Sequence, residues 1–219
     1  MPLTLVCMAT NIGRLIFNSF GVNTYILIDN TGKCLIVDPA CSTNAEESRL
    51  AAYITENHLQ PTGMANTHFH VDHILGNTFI CHSYHIKPQC HLKSKILWET
   101  AAQYGLAFGL KIENMIIPVD FVGEGDRITF GNAFVEVLYT PGHADGSVCL
   151  VNHAERYVIS GDVLFRDSIG RTDLPTGNFD LLYESITSKL FTLPDDYIVY
   201  PGHGPETTIG YEKHNNPFL

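Results

Sequence analysis

Apolar and polar positions divide this chain into short blocks of two different periods. Asn23–Asp29 (NTYILID) and Lys33–Ala40 (KCLIVDPA) are rich in β-branched and aromatic residues, and Asn30 and Gly32 between them supply turn chemistry. Together they predict a hairpin. Over Thr43–His58 the period changes: Leu50, Ala51 and Ile54 recur at helical spacing, and Pro61 and Gly63 close the unit. GMANTH predicts a short strand, and HILGNTFICHSYH and LKSKILWETAAQYGL each predict a helix. From Ile116 strands return. DRITFGN and AFVEVLYTPGH flank a Gly131–Asn132 turn, and SVCLVN with RYVISGD predicts a second hairpin. Asn178–Leu193 predicts an amphipathic helix with Leu181, Leu182, Ile186 and Leu190 on one face. DYIVYPGH is a last strand, and the tail ETTIGYEKHNNPFL reads as polar and partly turn-like.

The order is strands, helices, strands, helix, strand, with no linker and no low-complexity stretch. One echo stands out: VLYTPGH ends at His143 and IVYPGH ends at His203, both β-runs that break at Pro-Gly and present a histidine. It suggests two related halves packed on each other, an α/β sandwich of layers within a single domain over residues 1–219.

Composition narrows the function. Of 219 residues 45% are hydrophobic and 16% charged, which fits a folded core and excludes a disordered chain. A net charge of −10 disfavours binding to nucleic acid or to an anionic membrane. No apolar run approaches a membrane span, and MPLTLVCMATN has no basic residue before its apolar part, unlike a signal peptide. Cys7, Cys34, Cys41, Cys81, Cys90 and Cys149 form no C-x-x-C pair and read as reduced core thiols, so the expected compartment is the cytoplasm.

The chemistry concentrates in THFHVDH, Thr67–His73. Residues two apart on an extended chain face the same side, so His68 and His70 can share one metal ion, while Asp72 and His73 lie where the chain turns into a helix. Imidazole suits zinc or iron, and a carboxylate adds a hard anionic ligand. Four ligands in six residues are too crowded for one closed tetrahedral site. They read as half of a two-metal site, completed by His143 after Pro141-Gly142, Asp162 after Ser160-Gly161 and His203 after Pro201-Gly202. The seven divide as His68, His70 and His143 on one ion and Asp72, His73 and His203 on the other, with Asp162 bridging. Asp38 either orients a ligand histidine or simply ends its strand in an Asp-Pro turn. Cys81, His82, His85, Cys90 and His91 match no trusted zinc spacing. His58, His153 and His214 read as surface residues.

THFHVDH with the later His143, Asp162 and His203 resembles the ligand signature of the metallo-β-lactamase superfamily, from about Leu15 to the tail. That resemblance implies a four-layer αββα sandwich with two divalent metals, zinc expected and iron or manganese possible, at the sheet edges. GDVLFRDSIGRTDLPTGNFDLLYESI and YPGHGPETTIGYEKHNNPF are similar to the glyoxalase II-like hydrolases, which cleave S-2-hydroxyacyl thioesters of glutathione. The larger enzymes of that group add a C-terminal helical domain, and this chain resembles the short branch without it. Arg171 stands where those enzymes have a lysine that contacts glutathione; a structural Arg171–Asp173 contact is the competing reading. Tyr211 and Lys213 are further substrate-contact candidates.

A hydroxide shared by two metals is available near neutral pH, because metal binding lowers the pKa of water towards ~7. A thiolate leaving group needs no separate general acid, since a free thiol has a pKa of only about 8.5. The resemblance implies hydrolysis of a small-molecule thioester, with which this chemistry is compatible, with Asp72 and Asp162 as the carboxylates of the catalytic centre. Persulfide dioxygenases share the motif and a similar GRTD segment, with one iron at the positions matching His68, His143 and Asp162, and form the alternative. A non-catalytic metal protein fits less well, because structural zinc sites are usually closed by four ligands. Hydrolysis of β-lactams or nucleic acids also occurs in the superfamily; the missing export signal weakens the first and the acidic charge the second.

Overall fold

A computed structural model describes residues 10–110, 112 and 115–219. Cys7 and the leader reading of the first residues lie outside them. In chain order the elements are β1 (Asn11–Phe17), β2 (Val22–Ile28), β3 (Lys33–Val37), α1 (Asn44–Glu56), β4 (Gln60–Ala65), α2 (Val71–Ile74), α3 (Asn77–Tyr84), β5 (Pro88–Cys90), α4 (Lys95–Ala107), β6 (Asp120–Phe121), β7 (Arg127–Phe130), β8 (Ala133–Tyr139), β9 (Val148–Asn152), β10 (Tyr157–Gly161), β11 (Leu164–Phe165), β12 (Ser168–Ile169), α5 (Phe179–Ser188), β13 (Ile198–Pro201), β14 (Thr207–Thr208) and α6 (Ile209–Asn215).

These strands form two six-stranded sheets, ordered β1-β2-β3-β4-β5-β6 and β14-β13-β10-β9-β8-β7. Their inner faces meet in one core. Tyr25, Leu27, Leu35 and Val37 from the first sheet pack on Val135, Val137, Leu150 and Ile159 from the second. Helices α1 and α3 cover the outside of the first sheet through Leu50, Ile54 and Ile80. Helix α5 covers the second through Leu182 and Ile186, and Leu190 follows in a short 3-10 turn. Burying each such side chain contributes about 1.5–3 kcal/mol. The result is the expected αββα sandwich.

The helix ends follow local chemistry. Thr43 caps α1 by accepting from the Glu46 N–H, and Asn178 caps α5 by accepting from the Leu181 N–H. Two expectations change. HILGNTFICHSYH is not one helix: it breaks at Leu75–Gly76, where a Cβ on Gly76 would lie 2.4 Å from the Cys41 sulfur. The tail holds β14 and α6 rather than turns. It is fixed by the fully buried Glu212, which accepts from the Thr207 hydroxyl, the Asp167 N–H and the Asn216 amide. Strand β1 lies before the predicted hairpin and pairs with β2 along its whole length.

Strand directions position the site. β3 and β4 run parallel, β8 and β10 are both antiparallel to β9, and β10 is parallel to β13. The C-terminal ends of β3 and β4, and of β8, β10 and β13, therefore each fall at one sheet edge. The two edges are joined where Val148 N–H donates to the Thr67 carbonyl at 2.8 Å and Val22 bridges to His203.

Candidate metal centre

β4 ends at Ala65, and the next residues form a loop that delivers His68 and His70 before α2 begins at Val71. The extended strand through GMANTH thus stops three residues short, but the loop still puts the His68 and His70 rings 4.7 Å apart. Helix α2 carries Asp72 and His73. The later residues each follow a strand end: His143 after β8, Asp162 after β10, His203 after β13.

All seven predicted residues meet in one place. Ligand atoms of His68, His70 and His143 lie within 4.8 Å of one another, and so do those of Asp72, His73 and His203. Asp162 sits between the two groups. Its Oδ2 is 3.7 Å from His143 Nε2 and 3.5 Å from His203 Nε2, and its Oδ1 is 3.5 Å from His73 Nε2. Asp72 Oδ2 lies 3.4 Å from His203 Nε2 and 3.6 Å from His73 Nε2.

The imidazole orientations test whether metal ions fit. Each of four rings gives its Nδ1 to a protein acceptor. His68 donates to the Thr67 hydroxyl (3.1 Å), His73 to Asp38 (3.1 Å), His143 to the Arg171 carbonyl (2.9 Å) and His203 to the Phe20 carbonyl (3.0 Å). Every one of their Nε2 atoms is left facing the centre. Fixing the tautomer through the far nitrogen is how metal-bound histidines are usually oriented. His70 points its Nδ1 inward, 2.9 Å from His143 Nε2. His68 Nε2 and Asp162 Oδ1 are buried without a hydrogen-bond partner, the state of groups built to bind an ion. The donor set is compatible with a dinuclear site.

Asp38 resolves in favour of orientation. It also forms a close group with His68 and His73, but its carboxylate already accepts from the Thr67 N–H (2.8 Å), the Thr67 hydroxyl (2.6 Å) and His73. The Thr67 hydroxyl thus links Asp38 to His68. Asp38 holds a left-handed φ of 48°, an uncommon conformation for a residue with a side chain.

Proton distribution follows from burial and charge. Burial, then the neighbouring histidines, push His68 down, and the same causes bring His70 to about 3. Burial works against a charge on His73 and His203 as well. There the carboxylates win: Asp162 and Asp72 hold His73 well above its usual range and His203 at about 9. Burial would raise Asp162, but His73 and His203 keep it well below the usual carboxylate range.

A cavity of about 940 Å³ opens over the cluster, and His70, Asp72, His143, Asp162 and His203 form part of its wall. Its size lies at the upper end for small-molecule sites. Arg171 is on the wall, yet its guanidinium is bound bidentately by Asp173 at 2.7 and 2.6 Å, so the structural contact of the sequence reading is present. Tyr211 donates to Asp167 at 2.8 Å and packs under Arg166, which does line the cavity. Lys213 is tied to Asp195 and the Leu193 carbonyl. Neither Tyr211 nor Lys213 forms part of the wall: α6 directs the first to Asp167 and the second to Asp195. Among the described residues, the Cys81–His91 cluster brings no three ligands together; His85 ends α3 and His91 stacks on Tyr139. His153 bonds the Tyr197 hydroxyl, and His58 and His214 are exposed. Sequence reasoning missed Thr67, Asn18 and Arg166. Asn18 donates to the Asp72 and Ala40 carbonyls and so pins α2 to the loop after β3. No spacing rule marks such backbone contacts.

Known proteins agree with this geometry. A family model described as the metallo-beta-lactamase superfamily matches residues 18–203. The probable metallo-hydrolase YqgX of Bacillus subtilis (strain 168) is 40% identical over 90% of this chain and 92% of its own. The hydroxyacylglutathione hydrolase GloC of Haemophilus influenzae is 34% identical over 95% of this chain and 98% of its own. Among solved structures, TTHA1623 in a di-iron-bound form superposes with a TM-score of 0.85 at 33% identity, covering 94% of this chain and all of that one (100%). Matched from its first sheet to His203, the chain belongs to the metallo-beta-lactamase superfamily.

Proposed function

We propose that this metallo-hydrolase is a thioesterase of the glyoxalase II type, acting on small S-2-hydroxyacyl thioesters with two zinc ions held by the seven residues. The observation that carries the reading is the titratable lining of the cavity. Outside the cluster it consists of Tyr104, Arg166 and Arg171 among the described residues. Among the described residues no histidine, carboxylic acid or lysine outside the cluster lines the wall to hand over a proton, so the wall suits a leaving group that departs without one. A thiolate does so. The full-length similarity to a protein named as a hydroxyacylglutathione hydrolase supports the same substrate class.

Two bound divalent ions would supply a nucleophilic hydroxide at neutral pH and polarise the thioester carbonyl. The chain's own residues prepare the place. Asp162 reaches towards both histidine groups and stays ionised. Asp38, Thr67 and the carbonyls of Phe20 and Arg171 hold four rings in the tautomer that leaves Nε2 inward. The apolar residues of the wall would displace water from an acyl group lying against them, which strengthens charge interactions at the floor.

S-lactoylglutathione hydrolysis by metal-replete protein, measured beside oxygen uptake with glutathione persulfide, tests the reading. Thioester cleavage with near two zinc ions per chain is expected. Oxygen uptake on a single iron without thioester cleavage would overturn it in favour of the dioxygenase.

A further inference from the structure

We infer that the acyl group accepted here carries an apolar chain or ring beyond its 2-position, seated against α4; this rests on the thioesterase reading. A lactoyl group has one methyl to bury, which would leave much of the apolar wall of this cavity of about 940 Å³ uncovered even with the thiol carrier at the arginines. Apart from the cluster and the two arginines, the wall is largely hydrocarbon. Phe69, Leu97, Ala101, Tyr104 and Phe108 contribute to it, and so does Leu174.

Helix α4 carries more apolar surface than its packing uses. Leu97, Trp98 and Ala101 pack inward with Phe69, Val71, Ile74 and Ala144. A helix whose remaining faces met only water would carry polar residues there. Ile96, and Phe108 just past the helix end, instead remain 47% and 48% exposed, and both belong to the cavity wall. The wall is also shaped: the Phe108 ring stands edge-on to Phe20 at 6.0 Å and lies 6.3 Å from Tyr104. Exposed apolar surface continuous with a polar catalytic floor marks a place for an amphipathic ligand.

Charge sets the direction. The cationic wall residues, Arg166 and Arg171, belong to the segment running from β11 to α5, not to α4. Arg171 is paired with Asp173 at 2.6 Å, whereas Arg166 stands 3.8 Å from Asp167 and over the Tyr211 ring. An anionic thiol carrier would engage these two arginines. With the carbonyl over the cluster, the acyl chain then falls against α4.

The test uses one neutral thiol, N-acetylcysteamine, esterified with 2-hydroxy acids from lactate to 2-hydroxyoctanoate, and the metal-replete protein. kcat/KM should rise about fourfold per methylene over the first few, the equivalent of ~0.8 kcal/mol each. Phe108→Ser and Ala107→Glu, both at exposed wall positions, should flatten this series. Leu92→Ser, on exposed apolar surface outside the cavity, should leave its slope unchanged. Separately, the matching S-alkyl thioethers should bind the metal-free protein more tightly with each methylene, with a negative heat-capacity change. If all esters are cleaved but the series is flat or falling, the apolar seat is wrong and the thioesterase reading stands. Thioether binding independent of chain length would overturn the seat without any turnover. If no ester is cleaved while the thioethers still bind with the expected trend, the thioesterase reading fails and the acyl assignment falls with it.

Discussion

His68, His70, Asp72 and His73 come from one short loop and the helix after it, whereas His143, Asp162 and His203 come from the ends of three separate strands. The first group is held largely by side chains: Asp38 and Thr67 orient two of its rings, and Asn18 fastens its helix. The second is held by the main chain. The Arg171 and Phe20 carbonyls orient His143 and His203, and glycines give the space. Gly202 lies so close that a Cβ would stand 2.2 Å from Asp162 Oδ1 and 2.8 Å from the His73 ring, and Gly161, with a φ of +50°, backs onto Thr67 in the same way. The first group should therefore be sensitive to polarity behind it, the second to volume beside it.

Asp162 belongs to both groups, so its loss should produce the largest effect. Asp162→Ala should lower turnover about a thousandfold or more, since a bound metal's contribution is several kcal/mol. Metal content should fall at both positions, with circular dichroism preserved. Asp167→Ala, just beyond β11 and outside the cluster, should leave turnover within about twofold. Similar losses from the two changes would remove Asp162 from its bridging place.

Gly202→Ala probes volume. Overpacking costs about 1–3 kcal/mol, and displacing a reactive group by about 1 Å can cost ~100-fold in rate. Thermal unfolding and kcat/KM should both report it. Gly123→Ala, whose Cβ would meet nothing nearer than 3.8 Å, is the control; a harmless Gly202→Ala would show that the main-chain half tolerates expansion.

Polarity is probed by Asp38→Asn. It keeps volume but loses a charged acceptor for Thr67 and His73, and should weaken metal binding about 10–100-fold in a chelator competition. If metal affinity is unchanged, the side-chain half is not held as described. The smallest effect is expected from Arg171→Ala, which removes a guanidinium already engaged by Asp173 and leaves the carbonyl that holds His143. KM for a glutathione thioester should change less than about threefold. Asp173→Asn, which frees that guanidinium, should lower it.

The contrast also explains what the sequence could reveal. The seven cluster residues were legible because each has a chemical type that is costly to leave unused, and His68–His73 and the Pro-Gly-His breaks are local patterns. The β2–β3 hairpin and α5 were legible from period alone. What supports the cluster was not. Thr67, Asn18 and the Phe20 carbonyl act through contacts between segments far apart in the chain, and backbone carbonyls have no side-chain signature. β5 and β6 have three and two residues, too short for any period. The tail looked polar because Glu212 and Asn216 are polar, yet both are buried and mutually bonded. α4 was predicted as a helix, but its surplus apolar face acquires meaning only beside the cavity.

The bond network at the last loop carries a consequence in time. The Asn23 N–H donates to the Gly202 carbonyl at 2.8 Å, the Asn23 amide to the carbonyls of Pro201 and Gly204, and the Tyr25 hydroxyl to Pro201 at 2.8 Å. The Asn23 amide and Pro201 are 178 positions apart in the chain. During synthesis at ~5–20 residues per second, the loop carrying His68 leaves the ribosome several seconds or more before His203 exists. Closing so long a loop carries an entropic cost that only the finished sheets can offset. An ion held by Asp72, His73 and His203 would have nowhere to settle until both sheets have docked, so its uptake would serve as a clock for the final step of folding.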